Sequence, residues 1–435
     1  MARAAVNREA LDPGSNDGPL LAVMDEAVAL EEEAARGLGT FRSLRYRDYR
    51  LLWTGTVLGS AGQWIQQATV PWLAYDLTGS GFLLGAVNAV RSGPLLILGP
   101  LGGVAADRID RKRLLLSSET LLVLATAAMA AVIFAGALEV WHLFAFSLVS
   151  GVAWALNNPA RQSILPNLVP KNDLMNAVAL NSAGFNSMRV FGPSLGGFLL
   201  LRFGAGENFF LQSVAYVGVA TMVLLMVVPR LPRATTVSIR ENLVDGAEYV
   251  WRHPMLRAQM MLGLVPMVVG MPYMTLLPIF AKDVLHANEA IYGLFLSSVG
   301  VGAVIGTLAL ASLGNLQAKG KVLLGAIFAL GVIIILFSLS RSLPLSLLLL
   351  VMSGAAQMAY LTTNMTMIQL TVEDEMRGRV LGLYMLNQGL LPLGALGAGI
   401  LADLTSAPTA AMIQGALVCA FVLVFAVQMK SLRAA

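Results

Sequence analysis

Two arginines stand inside long apolar runs: Arg91 between about residues 82 and 105, and Arg189 between about 176 and 201. A guanidinium in such surroundings offers permanently charged, rigidly forked N–H donors. It can make a cavity electropositive and hold an anionic or carbonyl-rich ligand. It can equally satisfy itself on freed backbone carbonyls, or on amides such as Asn88 and Asn186. Further amides fall in apolar runs: Gln63, Gln66, Gln67, Asn157, Asn181, Gln357, Asn364, Asn387 and Gln388. Each either lines a polar path or hydrogen-bonds one helix to another. Asp76, Glu119 and Asp403, at the ends of apolar runs, are the candidate proton carriers. Methionines cluster from Met255 to Met274 and from Met352 to Met367, as a plastic apolar pocket or ordinary packing would use them.

Other chemistries find no residues. His142, His253 and His286 are far apart and share no metal-ligand spacing, and the single cysteine, Cys419, excludes a disulfide framework and a thiolate metal site. No catalytic constellation appears, so neither an enzyme nor a bound metal or cofactor is expected.

The elements that must position these groups follow from composition. The chain of 435 residues is 57% hydrophobic and only 12% charged, against about 25% charge in a soluble domain. Its mean hydropathy is +0.73. The apolar stretches are long and lack strand alternation, so they read as spanning helices rather than a membrane barrel. The 42 glycines suit helices packed closely through small residues. The spans are expected at about 51–75, 82–105, 114–136, 140–160, 176–201, 208–228, 257–281, 291–313, 321–339, 343–369, 379–402 and 408–429, each roughly 20 residues or more.

The cations between these spans sort to one side. Alternate loops receive the clusters Arg42–Arg50, Arg108–Arg113, Arg161 with Lys171, Arg230–Arg257, Lys319 with Lys321, Arg377 with Arg379, and Lys430 with Arg433. The other side receives Arg202, Lys282 and Arg341. This asymmetry, rather than a nucleic-acid-binding face, accounts for the basic pI of about 9.3. It puts both termini in the cytoplasm; the expected location is a bacterial inner (plasma) membrane. No cleavable signal is expected in residues 1–40, which read as a cytoplasmic tail, disordered or with a short amphipathic helix from Leu21 to Leu38.

The longest internal connection divides the chain into 41–228, a linker at 229–256 and 257–435. The linker holds an amphipathic stretch from Ser238 to Arg252. The two parts echo each other at a shift of about 202 positions: Val178 meets Val380, Asn186 meets Gln388, Gly192 meets Gly394 and Gly197 meets Gly399. Such repeats mark duplicated halves of a transporter.

Several strings carry a family likeness. Gly103-Val-Ala-Ala-Asp107-Arg108-Ile-Asp110-Arg111-Lys112-Arg113 resembles the loop signature of the major facilitator superfamily, with Asp110 where a glycine is usual. Gly103 lets two helices approach, and Asp107 can meet a helix N-terminus or an arginine. The resemblance implies that Gly103, Asp107, Arg108, Lys112 and Arg113 act as a gate latch for the outward-facing state. Gly192-Pro193-Ser194-Leu-Gly196-Gly197 is similar to the antiporter motif of the exporters in that superfamily, although Met188 stands where an earlier glycine of that motif is expected. Pro71-Trp72, Tyr75-Asp76-Leu77-Thr78-Gly79-Ser80, Asn158-Pro159-Ala160-Arg161-Gln162 and Arg377-Gly378-Arg379-Val380 look like its enterobactin-exporter-like branch.

The expected architecture is therefore all-α: the major facilitator fold, twelve transmembrane helices in two pseudo-symmetric six-helix bundles around a central cavity. The expected activity is secondary transport, as an exporter of a siderophore-like, anionic or amphipathic drug-like solute. The alternatives are a lipid scramblase or flippase and a non-transporting membrane sensor. Arg91, Arg189, Asn88, Gln63, Gln67, Asn186, Gln357, Asn364 and Gln388 are the candidate solute-binding residues. No Walker loop is present, so uphill work needs an ion gradient, with protons as the candidate ion and Asp76, Glu119 and Asp403 as candidate carriers. Ser147 stands where proton antiporters of the family place a fourth-span arginine. The expected partners are the lipid bilayer and a small-molecule substrate, with no nucleic acid and the chain as a monomer.

Overall fold

A computed structural model describes the backbone of residues 39–108, 110–228, 239–314 and 318–428, and the side chains of these except 97, 99–108, 239–243 and 388. The helices are α1 Arg47–Thr78, α2 Gly81–Arg108, α3 Arg111–Phe134, α4 Val140–Ile164, α5 Leu174–Phe203, α6 Ala205–Leu225 and α7 Ile239–Arg252. After these come α8 Pro254–Val284, α9 Glu289–Ser312, α10 Lys319–Leu339, α11 Leu343–Thr371, α12 Asp374–Leu404 and α13 Ala407–Gln428. No strand occurs among the described residues. The amphipathic linker segment forms α7, whereas the possible helix from Leu21 to Leu38 lies outside the described residues.

Nine of the described helices, α3, α4, α6 and α8 to α13, are long and apolar enough to cross a bilayer. The other three expected spans, α1, α2 and α5, have 32, 28 and 30 residues. At 1.5 Å per residue each exceeds a hydrocarbon core of about 30 Å. Polar side chains dilute α1 and α5: Gln63, Gln66 and Gln67 on the first, Asn181, Asn186 and Arg189 on the second.

Packing repeats with the period of the halves. In the first bundle α1 packs on α5, α2 on α4, and α3 on α4 and α6. In the second, α8 packs on α12, α9 on α11, and α10 on α11 and α13. Each pair in one set is the counterpart of a pair six spans later in the other. The bundles meet along two seams that are also counterparts, α2 on α12 and α5 on α9.

The repeated glycines do the same work in both halves. A β-carbon on Gly192 would stand 2.6 Å from Cβ of Trp64 on α1, and one on Gly394 would stand 2.2 Å from the Val268 carbonyl oxygen on α8. At the seams, a β-carbon on Gly197 would lie 2.4 Å from the Glu289 carbonyl oxygen of α9, and one on Gly399 would lie 2.1 Å from that of Gly81 on α2. No side chain fits at either crossing, so glycine allows the bundles to touch backbone to backbone.

Helix ends have local causes. Gly79, at φ +61°, ends α1 in the left-handed conformation, its amide donating to the Tyr75 carbonyl. Asp110 caps α3, accepting from the Arg113 amide at 3.0 Å; this is the use of the residue that replaces the usual glycine. Lys112 donates to the carbonyls of Leu224 and Met226 at 2.8 and 2.7 Å, closing the end of α6. Two helices are interrupted. In α8 a π-helical turn at Pro266–Gly270 leads into a 3₁₀ stretch at Met271–Leu276, and α12 breaks at Asn387–Leu390 just before Pro392. Proline removes an amide donor and distorts the turn before it.

Candidate functional site

Both seams close the molecule toward one end, the end of Asp76, Lys282 and Asp403. Asp403 on α12 accepts from the amides of Gly81 and Phe82 at 2.5 and 2.9 Å and from the Ser80 hydroxyl at 2.8 Å. Lys282 pairs with Asp76, and the Tyr75 hydroxyl donates to Asp283. Beneath them Trp72 stacks on Tyr292, whose hydroxyl donates to the Gln67 carbonyl at 3.3 Å. Two of the three expected proton carriers, Asp76 and Asp403, thus tie one bundle to the other.

Toward the opposite, cation-rich end the bundles separate around a cavity of about 1150 Å³. Its polar lining comes chiefly from the first bundle: Gln63, Gln67, Asn88, Arg91, Asn158 and Gln162. Its apolar lining comes largely from interrupted α8 and α12, with Met267, Met271, Met274, Met385 and Leu391. The methionine cluster at Met255–Met274 therefore supplies part of the pocket wall. The lining extends to Glu375 and Gly378, which are exposed, so the cavity communicates with that end.

Of the candidate solute-binding residues, the cavity brings together Arg91, Asn88, Gln63 and Gln67. Arg91 donates to Gln67 Oε1 at 2.5 Å and to Gln66 Oε1 at 3.3 Å. Asn88 donates to its own helix, at the Leu84 carbonyl. Arg189 lies outside this lining, with its guanidinium 6.0 Å from the Trp64 ring centre. Asn186 donates to the Ser182 carbonyl of its own helix and lines a smaller cavity. Gln357 and Asn364 are buried in α11 away from the cavity lining; Asn364 donates to the Gln259 carbonyl and to Tyr384, joining helices. The side chain of Gln388 lies outside the described residues, as do those of Gly103, Asp107 and Arg108 from the latch signature. Gly192, Pro193, Gly196 and Gly197 line the faces of α5 that meet α1 and α9.

The smaller cavity, about 310 Å³, lies within the first bundle. On its wall Glu119, 1% exposed, pairs with Arg161 at 2.7 Å. Asn157 donates to the same Glu119 oxygen at 2.8 Å and to the Ser118 hydroxyl at 3.0 Å, while Arg161 also reaches Thr56 at 2.9 Å. Arg161 is the group that sequence reasoning misplaced. Expected among the loop cations, it sits inside α4 with its side chain 13% exposed. Pro159 does not end that helix, which runs on to Ile164, and Glu119 offsets the desolvation of the guanidinium. The available signal was Asn157, one helical turn before Arg161 and on the same face.

Comparisons with known proteins agree with this architecture. The family described as transmembrane secretion effector matches residues 38–435. The staphyloferrin A transporter of Staphylococcus aureus is 27% identical over 350 residues, covering 79% of this chain and 86% of that one. The multidrug efflux pump Tap of Mycolicibacterium fortuitum is 26% identical over 368 residues, covering 81% and 88%. Macrolide efflux protein A of Streptococcus pyogenes is 22% identical over 375 residues, covering 82% and 91%. Among solved structures, the nucleoside transporter NupG superposes with a TM-score of 0.67 at 15% identity, covering 88% of this chain and 99% of that one. A D-xylose-proton symporter gives 0.65 at 15%, covering 87% and 97%. Two counterpart bundles, glycine seams between them and a match over nearly the whole length lead to one assignment: the chain belongs to the transmembrane secretion effector family of major facilitator transporters.

Proposed function

We propose that this protein is a secondary exporter, carrying a small organic solute across a bacterial plasma membrane by alternating access. The observation that carries the reading is the cavity of about 1150 Å³ between the bundles, reaching exposed residues at the cation-rich end while Asp403, Asp76 and Tyr75 tie the bundles at the other. With the cation-rich end in the cytoplasm, as the loop charges imply, this is the inward-facing state, with both termini inside. The bundles at 41–228 and 257–435 rock about their seams, joined by the linker at 229–256. The mixed lining of amides, two arginines (Arg91 and, near the mouth, Arg379) and methionines suits an amphipathic solute, in keeping with the relatives named as efflux pumps. A sensor would have a closed, dry core, and a scramblase an apolar lateral opening; a polar-lined cavity favours neither.

Export against a gradient is coupled to protons, and Glu119 is the carrier the geometry favours. It is buried beside Arg161, whereas Asp76 and Asp403 are exposed at the closed end. The test uses the purified protein as a monomer in proteoliposomes, with a panel of labelled siderophores, drugs and lipids, with and without a proton gradient. Proton-driven movement of a water-borne solute, lost in Glu119→Gln, is the expected result. Movement of lipid alone, or of nothing in the panel, overturns the exporter reading. Full proton drive in Glu119→Gln overturns the coupling role.

A further inference from the structure

Arg91 is a half-buried cation that forms no ion pair among the described residues. The carboxylate among the described lining residues of its cavity, Glu375, lies at the exposed mouth. The two hydrogen bonds of Arg91 go to neutral amide oxygens, those of Gln67 and Gln66, leaving most of the five N–H groups of the fork without an acceptor among the described residues. A guanidinium inside a membrane protein needs a partner, and here the open side of the fork faces the cavity.

Gln66 shows that this orientation is built in. It is 1% exposed and its Nε2 finds no acceptor among the described residues. Turning the amide over would put the oxygen where Nε2 now stands, but would set that NH₂ against a guanidinium, donor against donor. Arginine can only donate, so its presence fixes Oε1 toward Arg91 and leaves Nε2 unpaired. Two successive glutamines on α1 therefore hold the fork from behind without neutralising it.

We infer that Arg91, positioned by Gln66 and Gln67, is the recognition site for a carboxylate on the transported solute. A carboxylate presents two coplanar oxygens that match the remaining edge of the fork, in a geometry lysine cannot reproduce. The lining residues Trp154 and Asn158 and the methionines of α8 are left to contact the rest of the solute. The inference deepens the exporter reading and rests on it for its role in transport. Its test reads binding alone, so a failure of transport and a failure of carboxylate recognition are distinguishable.

The experiment titrates the full-length protein in nanodiscs with a panel of aryl and alkyl carboxylic acids, each paired with its methyl ester. Tryptophan fluorescence reports occupancy, since Trp154 lines the cavity. The wild type is expected to bind the acids at least about tenfold tighter than the esters, a difference of about 1.4 kcal/mol. Arg91→Lys and Gln67→Leu should each erase most of that ratio, weakening the acids more than the esters. Gln67→Glu, which supplies an internal carboxylate to the fork, should do the same and guards against misfolding of the leucine variant. Equal binding of acid and ester by the wild type, no binding of any acid, or an unchanged ratio in Arg91→Lys and Gln67→Glu overturns the inference.

Discussion

Asp403 reaches from the end of α12 to the first turn of α2, where Gly81 donates its amide to Oδ1 at 2.5 Å. Phe82 and Ser80 occupy Oδ2. The carboxylate thus satisfies unpaired amides at a helix N-terminus and ties the two bundles at the closed end.

Removing that anion should loosen the closed end. An anion at a helix N-terminus contributes roughly 0.3–1 kcal/mol, so Asp403→Ala should shift the balance of the two facing states by up to about fivefold. Spin labels at Leu77→Cys and Leu404→Cys, in a Cys419→Ser background, would report it as a population at longer distance. An unchanged distance distribution would show that the contact does not hold the end closed.

The pair of Glu119 and Arg161 should behave as a buried ion pair. Arg161→Met leaves Glu119 enclosed without its counter-charge and should cost about 3–5 kcal/mol, seen as a large drop in Tm in detergent. Glu119→Gln keeps an acceptor for Arg161 and should cost less. Replacing both by leucine should recover stability relative to Arg161→Met alone. Equal melting of all three variants would contradict the assignment.

Helix contact inside the second bundle makes a sharper contrast. A β-carbon on Gly302 would stand 1.9 Å from the Val351 carbonyl oxygen of α11, whereas one on Gly325 meets nothing within 4 Å. Gly302→Val should lower Tm by forcing α9 and α11 apart, at about 1–3 kcal/mol or more. Gly325→Ala should leave it unchanged or raise it, since alanine is favoured in a helix by roughly 0.5–1 kcal/mol. The reverse order of melting would refute the packing.

At α3, the cap sets a third comparison. Asp110→Ala should destabilise the helix start by about 1 kcal/mol, while Asp110→Gly, which restores the glycine of the family signature, should cost only a few tenths. Thermal melting of the two variants side by side decides it. A glycine variant that melts below the alanine variant would mean that Asp110 acts through something other than the cap.

Much of this architecture was legible because it is periodic. Apolar runs, the one-sided cations and the echo of Gly192 and Gly197 in Gly394 and Gly399 pointed to paired bundles, and the glycines fall at counterpart contacts. Arg91 and its glutamines were legible as polar groups in an apolar run. Arg161 was not, because a cation two residues after Pro159 looks like the end of a span, and its partner Glu119 is brought near only by the packing of α3 on α4. The cavity was also out of reach residue by residue. Asn364 and Gln63 are both amides in apolar runs, and nothing local distinguishes the one that joins helices from the one that faces open space.

The polar dilution of α5 reaches back to how the chain is made. A segment bearing Arg189, which alone costs at least about 2.5–3.5 kcal/mol at the centre of an isolated helix, along with Asn181 and Asn186, is a poor substrate for the insertion machinery by itself. It packs along α1, which is synthesised earlier. That packing gives the fifth helix a polar partner already in the bilayer, so a lesion in α1 is expected to appear as a topological error before it appears as a loss of transport.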